Sequence, residues 1–379
     1  MRIAFISAMN GEPWGGSEAL WFQTAQLLHK SGHAVLASVH GWPITPAPVD
    51  ALKRLGIAVY ERYPSYPSRL DRIKARITPS RLKGEMENTN WQRVLAFSPD
   101  LICISQGGIS CGIEWMKLCI RDRIPYVLIA QANSYDMWPS DVTAQSLRDG
   151  YRSSASNYFV SEANKVLLES QIAESLLNCE VVRNPYSVPF DSSPEWPDDS
   201  GTFKLACVGR LEPKAKGQDL IIEIFSREPW RSYPIEVSIY GDGPCRQTIE
   251  RLICQKDLSD KIKMRGYCNN VVDIWKAHHA LILPSRYEGL PLAVVETMLC
   301  NRIPIVTDVA GNSEVIQDEV TGFIAQSPTV LHLEYALERA WSRRTDWKAL
   351  GLAAGQSIRG HIPSCPASVF ASKLLALSK

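Results

Sequence analysis

The sequence predicts an α/β protein built from two doubly wound domains. Its 379 residues exceed what one ordinary hydrophobic core accommodates. Short apolar runs rich in β-branched residues alternate with helical patterns from end to end, which is typical of βαβ units on a parallel sheet. A polar stretch at 190–202, rich in Pro, Ser and acidic residues, separates two such series and has the composition of a linker.

The composition excludes several classes of protein. Lys and Arg number 41 against 40 Asp and Glu, for a net charge of +1, so no chain-wide field attracts polyanions and we expect no nucleic acid partner. The apolar runs are far shorter than the roughly 20 residues that span a bilayer. The N-terminus resembles a first strand more than a signal peptide. We therefore expect a cytoplasmic protein.

The first domain is predicted over residues 1–189. After the first strand, a Gly-containing loop leads to a helix at 17–30, in which Leu20, Thr24 and Leu28 share one face. Gly32 ends this helix. The predicted strands of this domain are 2–7, 34–39, 57–60, 101–105, 126–130 and 158–161.

The second domain is predicted over residues 203–360, after the linker at 190–202. Its apolar runs are again separated by helical patterns. The predicted strands are 203–208, 235–240, 262–264, 280–283, 303–307 and 322–324. Residues 361–379 form a last segment whose helix has an apolar face, which is a candidate to pack back on the first domain.

The strongest ligand-binding pattern lies between the predicted strand 280–283 and a predicted helix at 292–299. In open α/β sheets, ligands bind beyond the carboxyl ends of strands, where helix N-termini attract anions. Gly289 lets the backbone approach a ligand closely, and Pro291 suits the first helical position. Glu288 in the loop and Glu296 in the helix can each accept hydrogen bonds from hydroxyl groups of one ligand. The alternative is that Glu288 only caps or solvates its loop and that Glu296 is an ordinary surface residue.

A second pattern follows the predicted strand 203–208. Arg210 can donate paired hydrogen bonds to phosphate oxygens, and Lys216 adds a point charge. Together they suit a diphosphate leaving group. The alternative is a solvated basic loop, which is the interpretation we give to Lys214.

A third pattern is the adjacent pair Gly15 and Gly16 after the first strand. It lets the main chain approach a phosphate or sugar, or it serves only a tight turn. The turn at 241–244 lacks the third glycine of a dinucleotide-binding motif, and the chain has no Walker sequence. Nicotinamide and ATP chemistry are therefore poorly supported.

Taken in order, these motifs resemble those of retaining glycosyltransferases of family 4, which have the GT-B fold. The resemblance continues through 309–316, through 322–323 and at Asn184. It is dense over 203–325 and sparse over 1–190. The motifs that carry it are Gly15-Gly16, Gly209-Arg210-Leu211 followed by Lys216-Gly217, Gly241-Asp242-Gly243-Pro244, and Glu288 and Glu296 eight positions apart.

The resemblance implies two Rossmann-like domains that face a cleft, with the donor bound by the second domain and the acceptor by the first. The donor would be a nucleotide-diphosphate sugar of the UDP or GDP type. The acceptor would be a hydroxyl of a glycan or a lipid-linked glycan. The implied reaction is transfer of a hexose with retention, in polysaccharide or cell-surface glycan synthesis, without a metal or other cofactor.

The resemblance also assigns roles to residues. Arg210, Lys216 and Glu288 would be the catalytic residues, with the two cations on the diphosphate and Glu288 on the donor sugar. The other donor contacts would be Gly289, Leu290, Pro291, Glu296 on the ribose, and Gly15 and Gly16 on the phosphates from the first domain.

The sequence departs from the family at the end of the predicted strand 101–105. Many relatives have a His there, whereas this chain has Ser105 and Gln106, with Gln131 and Asn133 after the next strand. Either these polar groups contact the sugar or acceptor in its place, or the enzyme is slow or inactive. The alternatives are a non-catalytic nucleotide-sugar-binding protein and a nucleotide-sugar epimerase on the same fold.

The segment 69–83 has a basic amphipathic pattern. Six basic residues and one acid accompany apolar residues at helical spacing. Such a helix is a candidate for peripheral contact with the inner face of a membrane or with a lipid-linked acceptor. The alternative is a solvated face of a variable region.

Overall fold

The computed structural model describes residues 1–9, 11–62, 89–197 and 201–377. The chain divides into two compact units. The first unit comprises Met1–Val160, Asn164–Pro185 and Cys365–Lys379, and the second comprises Ser161–Ala163 and Tyr186–Ser364. The segment 69–83, for which membrane contact is predicted, lies outside the described residues.

The first unit contains a seven-stranded sheet in the order β3-β2-β1-β4-β5-β6-β7. All six strand pairings are parallel. The strand order reverses between β1 and β4, so the sheet is doubly wound with its switch point beside β1. The strands are β1 Arg2–Ser7, β2 Ala34–His40, β3 Ala58–Arg62, β4 Leu101–Gln106, β5 Tyr126–Ala130, β6 Ser156–Phe159 and β7 Cys179–Val181.

Helices cover this sheet and bury its apolar side chains in two clusters. The predicted helix at 17–30 begins with a 3₁₀ turn, Gly16–Glu18, before its α-helical part. Residues 89–96 are also helical. The α-helices whose full bounds are described are α1 Ala19–Lys30, α2 Ala47–Arg54, α3 Ile113–Asp122, α4 Asp141–Ser153 and α5 Glu162–Ile172, and a second 3₁₀ turn is Tyr135–Met137.

The second unit contains a six-stranded parallel sheet in the order β10-β9-β8-β11-β12-β13. Its strand order also reverses, between β8 and β11, so both units have the predicted doubly wound α/β fold. The strands are β8 Phe203–Val208, β9 Ile235–Tyr240, β10 Ile262–Gly266, β11 Ala280–Leu283, β12 Ile303–Thr307 and β13 Phe323–Ala325.

The helices of the second unit pack around one buried apolar cluster. Trp230, Trp275 and Trp347 are among its largest fully buried side chains. The helices are α6 Pro213–Lys216, α7 Gln218–Phe225, α8 Arg246–Gln255, α9 Val271–Ala277, α10 Leu292–Leu299, α11 Asn312–Val315, α12 Val330–Ser342 and α13 Trp347–His361, with a 3₁₀ turn at Arg344–Asp346.

The last helix, α14 Pro366–Ala376, belongs to the first unit. Its Phe370 ring meets the ring of Tyr158 edge to face, with centroids 5.0 Å apart. The Thr24 hydroxyl donates to the carbonyl of Ala367 over 3.3 Å. The apolar face of this segment is therefore buried against the helices and sheet of the first unit.

Arginine side chains of the second unit anchor the chain that follows Pro185. The Arg359 guanidinium donates to the carbonyls of Phe190 and Ser192, each over 2.9 Å. Arg302, which is 1% exposed, lies 4.8 Å from the centre of the Trp196 ring. The described part of the stretch that composition predicts as a linker, residues 190–197, thus packs on the second unit.

Gly217 lies very close to the backbone of Pro284 within the second unit. Its φ is +67°, and a Cβ built there would lie 2.0 Å from the carbonyl oxygen of Pro284. We expect Gly217→Ala to cost about 3 kcal/mol or more of unfolding free energy, because backbone strain and a backbone clash add. Thermal unfolding followed by circular dichroism measures the loss.

Gly201→Ala is the matched control in the same unit. Its φ is +75°, and nothing lies within 4 Å of a Cβ built there, so only the strain of about 1–2 kcal/mol remains. Equal losses in the two variants would show that the contact with Pro284 does not constrain the structure.

Candidate functional site

The loop after β11 is fixed to the helices that follow β8. The Arg286 guanidinium makes two hydrogen bonds of 2.7 Å to the carboxylate of Asp219. It also donates to the carbonyl of Pro213 over 2.6 Å, and the Arg286 amide donates to Ala215. Paired Arg–carboxylate bonds hold a defined geometry. The loop that carries Glu288 is thereby held against α6, which carries Lys216.

Lys216 and Glu288 form an ion pair across this contact. The same Glu288 carboxylate oxygen accepts a 2.7 Å hydrogen bond from the Ser285 hydroxyl. The side chains of Lys216 and Glu288 are only 21% and 9% exposed. Burial strengthens the attraction between the two charges relative to a pair in water. The structure therefore brings together two of the predicted catalytic residues.

Arg210 lies in the loop next to this pair. Its Nη1 is 3.4 Å from Oε2 of Glu212, and its carbonyl accepts a 2.8 Å hydrogen bond from Gln218. A Cβ built on the preceding Gly209 would lie 3.5 Å from Cδ of Lys216, so the end of β8 adjoins the Lys216 side chain. Both predicted phosphate-binding cations have an acidic neighbour, which the sequence analysis did not foresee.

The predicted turn at 241–244 supports this loop. Gly241 has φ +132°, and a Cβ there would lie 2.0 Å from the carbonyl oxygen of Gly209. The Leu211 amide donates to the carbonyl of Asp242 over 3.0 Å. The two turns after β8 and β9 are thus in contact through their backbones, and the glycines of this turn serve packing.

Glu296 is the fifth residue of α10 and is 5% exposed. Its carboxylate accepts a 2.8 Å hydrogen bond from the backbone amide of Ser187. Burial raises the pKa of Glu296 to about 7, although the hydrogen bonds from Ser187 oppose the shift. Burial thus favours the neutral form of this carboxyl group in the folded protein.

The backbone of residues 289–291 leads into α10. The carbonyl of Gly289 accepts a 2.9 Å hydrogen bond from Gly311. Pro291 is the N-cap residue of α10, with φ −63° and ψ 125°. The sequence predicted it at the first helical position, which Leu292 occupies instead. The helix N-terminus and its preceding loop, including the buried Leu290, lie next to Glu288 in the chain.

In the first unit, Gly15 and Gly16 lie at the start of the 3₁₀ turn before α1. Gly15 is extended, with φ −157°, and any residue adopts that conformation. Trp14 packs its ring on Trp21 and Phe22, with centroids 5.9 and 5.4 Å apart. The contact of Gly15 and Gly16 with donor phosphates stays a prediction.

Two of the side chains that the sequence offers as sugar or acceptor contacts, Gln106 and Asn133, form hydrogen bonds within the first unit. The Gln106 amide donates to the carbonyls of Ile109 and Cys111 over 2.9 and 2.7 Å, and its oxygen accepts from the Tyr151 hydroxyl. The Asn133 amide donates to Gln171 over 2.8 Å. Both side chains are therefore engaged in hydrogen bonds that shape the loops after β4 and β5.

Ser105 and Gln131 are buried nearby, at the ends of β4 and β5. The Gln131 oxygen accepts a 2.7 Å hydrogen bond from Asn184. Within the described ranges, no partner of the Ser105 hydroxyl or of the Gln131 amide nitrogen is present. These two groups retain hydrogen-bonding capacity, and their contact with a sugar or acceptor stays a prediction.

A further pair of charges, Arg62 and the buried Glu18, lies at the same edge of the sheet and is not among the predicted site residues. Arg62, at the end of β3, donates to the Ser38 hydroxyl over 2.8 Å and to the carbonyl of Ser7. Burial lowers its pKa to about 10, and the charge of Glu18 opposes this shift. Burial likewise raises the pKa of Glu18. An acid two positions after the Gly-Gly pair was the signal available in the sequence.

The described residues contain neither a cluster of metal ligands nor a membrane-spanning helix. Among them, no group of three or more His, Cys, Asp or Glu side chains could hold a metal ion. No helix formed by these residues is both long enough and apolar enough to cross a membrane.

Comparisons with known proteins connect this fold and site to one class of enzyme. Residues 191–353 match the family model "Glycosyl transferases group 1". Alpha-D-kanosaminyltransferase from Streptomyces kanamyceticus is 30% identical over 134 residues, 35% of this chain and 34% of that protein. Poly(ribitol-phosphate) alpha-N-acetylglucosaminyltransferase from Staphylococcus aureus is 26% identical over 181 residues, 46% of this chain and 36% of that protein. The chain thus spans about a third of the length of these two relatives.

The fold is similar over its whole length to that of several solved structures. The lipopolysaccharide outer core galactosyltransferase WaaB aligns with a TM-score of 0.72 at 16% identity, covering 99% of this chain and 99% of the other. Anabaena HepE in complex with UDP aligns with a TM-score of 0.75 at 15% identity, covering 99% of this chain and 100% of the other. Its complex with UDP-glucose aligns with a TM-score of 0.73 at 14% identity and the same coverage. The two units therefore have the GT-B fold, and the C-terminal region resembles glycosyltransferases in sequence.

The raised pKa of Glu296 predicts a pH-dependent stability. Between about pH 4.5 and 7, the folded protein binds more protons at this residue than the unfolded chain, so wild-type stability falls as pH rises through this window. We expect Glu296→Gln to lack this fall, which amounts to at most ~3 kcal/mol for a shift from 4.5 to about 7. Melting temperatures of both proteins from about pH 5 to 8 measure it.

Glu250→Gln is the control, because Glu250 is an exposed helix residue paired with Arg246. It should follow the wild-type pH profile. A Glu296→Gln profile parallel to that of wild type would contradict the assignment.

Proposed function

We propose that this protein is a retaining glycosyltransferase that transfers a hexose from a nucleotide-diphosphate sugar, of the UDP or GDP type, to a hydroxyl of a glycan or lipid-linked acceptor. The setting we propose is polysaccharide or cell-surface glycan synthesis. The observation that carries the proposal is the buried Lys216–Glu288 pair beside the Arg210 loop, at the carboxyl ends of β8 and β11.

The comparisons support this proposal. The family model covers all of the residues assigned here to the donor except Gly15 and Gly16. Both relatives are named as glycosyltransferases, and crystal structures of HepE, which has the same fold, contain UDP or UDP-glucose. Family 4, retention and a hexose donor go beyond these likenesses and are part of the proposal.

The chemistry requires stabilisation of a leaving diphosphate. As the bond between the sugar and the phosphate breaks, negative charge builds on the diphosphate, and preorganised cations lower the barrier most. Arg210 would donate paired hydrogen bonds to the phosphate oxygens, and Lys216 would supply a second positive charge. The N-terminus of α10, with the amides that begin it, adds a partial positive charge.

The ion pair suggests how the donor engages the site. A diphosphate near Lys216 competes with the Glu288 carboxylate for the ammonium group. As Lys216 turns toward the phosphates, Glu288 becomes available to accept hydrogen bonds from the hydroxyl groups of the donor sugar. On donor binding, Lys216 would thus replace Glu288 by the phosphates, and Glu288 would replace Lys216 by the hydroxyl groups of the sugar. Both charges therefore keep a polar partner throughout binding.

Retention follows if the acceptor hydroxyl attacks from the face that the diphosphate leaves. The acceptor oxygen then bonds to the anomeric carbon while the bond from that carbon to the phosphate oxygen breaks, and a phosphate oxygen takes the acceptor proton. No enzymic nucleophile is needed. Glu296 would accept hydrogen bonds from the ribose hydroxyls, where its carboxylate form is the better acceptor.

A second candidate function is a non-catalytic nucleotide-sugar-binding protein. The observation that favours it is the engagement of Gln106 at the end of β4, where relatives have a His. Both donors of its amide are used by Ile109 and Cys111. In this alternative the donor still binds to the second unit, and neither transfer nor hydrolysis of the sugar is observed.

Arg210→Ala separates these functions and tests the catalytic assignment. We expect kcat and kcat/KM for the donor to fall together by about 10²–10³, because Arg210 acts mainly on charge that develops in the transition state. Release of nucleotide diphosphate from UDP-glucose and related sugars in the presence of candidate acceptors measures both constants.

Lys214→Ala is the matched control, since Lys214 is an exposed cation on α6, the short helix that follows the Arg210 loop. It should keep both constants within about twofold of wild type. A rise in KM alone in Arg210→Ala would contradict the catalytic role, and wild-type protein that binds nucleotide sugars without turnover would favour the second candidate.

A further inference from the structure

Two exposed aromatic side chains lie on the first unit, in the loop after β5. Tyr135 is 77% exposed and Trp138 is 56% exposed. They are three residues apart across the 3₁₀ turn Tyr135–Met137, and the Trp138 amide donates to the Tyr135 carbonyl over 3.2 Å. Side chains at this spacing in a 3₁₀ turn lie on the same side. The chain thus exposes two amphipathic rings to solvent at the two ends of one short turn.

The turn that carries these rings is fixed from both ends. Before it, the Asn133 oxygen accepts from the Ser134 amide over 2.8 Å, and the Ser134 carbonyl accepts from Gln171 over 2.9 Å. After it, the Ser140 hydroxyl accepts from the Thr143 amide at the start of α4. Asn133, which the sequence analysis assigned to a sugar contact, therefore contributes here to the position of the turn.

The Met137 side chain packs the turn against the apolar core of the first unit. A Cβ built on Gly108 would lie 3.3 Å from its sulfur atom. Met137 thus fixes the backbone of the turn, while Tyr135 and Trp138 are exposed. A turn whose backbone is already ordered loses less conformational entropy when a ligand binds.

The charges around the rings select the kind of ligand. Residues 131–147 contain two acids, Asp136 and Asp141, and no Lys or Arg, and both acids are exposed. The exposed charges of this loop are therefore negative, which disfavours anionic lipid headgroups and phosphate groups as its ligand. Carboxylates and hydroxyls beside aromatic rings instead suit a neutral ligand with many hydroxyl groups, whose apolar C–H faces pack on the rings.

We propose that Tyr135 and Trp138 form a platform for a neutral sugar ring of the acceptor glycan. This rests on the proposed function, which it deepens by naming the part of the acceptor that the first unit recognises. The platform lies in a loop that begins at the carboxyl end of β5, the edge at which open α/β sheets bind their ligands. A glycan in free form and one carried by a lipid present the same ring to it.

Binding of the full chain to immobilised oligosaccharides tests the platform. The probes are neutral hexose and N-acetylhexosamine oligosaccharides, uronic acid oligosaccharides and, separately, vesicles of phosphatidylglycerol. Wild type should bind at least one neutral oligosaccharide. Trp138→Ala should weaken that binding about tenfold, or ~1.4 kcal/mol, whereas Trp138→Phe, which keeps an aromatic face, should stay within about threefold.

Tyr335→Ala is the matched control, because Tyr335 is an aromatic residue of the second unit with 58% exposure. It should bind glycans as wild type does. The UDP-induced rise in melting temperature should be the same in all variants, which shows that each is folded.

The proposal is overturned if wild type binds no neutral oligosaccharide, or if Trp138→Ala binds as wild type does. Binding to phosphatidylglycerol vesicles that depends on Trp138 would assign the rings to a membrane and would also overturn it. Failure of the proposed function is seen separately. Wild type would then neither bind UDP nor release nucleotide diphosphate from UDP-sugars, whatever the glycan result.

Discussion

The close approach of Gly217 to the Pro284 carbonyl is the constraint on which the second unit's site depends. Only a residue without a Cβ fits there, since a Cβ would lie 2.0 Å from the oxygen. The contact holds the end of α6 against the loop after β11, and the bidentate Arg286–Asp219 pair holds it from the other side. Lys216 and Glu288, 72 positions apart in the chain, form their ion pair because these backbone segments are held together.

The electrostatics of the site follow from this packing. Each of the two cations has an acidic neighbour, Glu212 for Arg210 and Glu288 for Lys216. The third acid, Glu296, has a pKa raised to about 7 by burial. Burying an unpaired charge is costly, so this arrangement keeps the site nearly neutral. A diphosphate that enters it finds cations whose partners can be redirected to the hydroxyl groups of the same ligand.

Sequence reasoning predicted the fold well where the physical signal is local. Phe203–Val208 and Ile235–Tyr240 are confirmed as strands with the predicted bounds, because short runs rich in β-branched, aromatic and other apolar residues between turn signals are typical of strands. Cys179–Val181 was missed, since three residues with a central exposed Glu180 carry no such pattern. Of the candidate site, the Lys216–Glu288 pair is brought together as expected. The Ser187 partner of Glu296 lies 109 positions away, and the engagement of Gln106 and Asn133 depends on tertiary contacts that a single sequence does not show.

The proposed mechanism requires that Glu288 holds Lys216 until the diphosphate takes its place. The dissociation constant of UDP, measured by calorimetry for wild type, Lys216→Met, Glu288→Gln and the double variant, tests this exchange. We expect Lys216→Met to raise the dissociation constant about tenfold or more, or ~1.4 kcal/mol. We expect Glu288→Gln to leave the constant unchanged or to lower it, and the double variant to behave as Lys216→Met does. Unchanged UDP binding in Lys216→Met, or an equal loss in Glu288→Gln, would show that the two side chains do not exchange partners in this way.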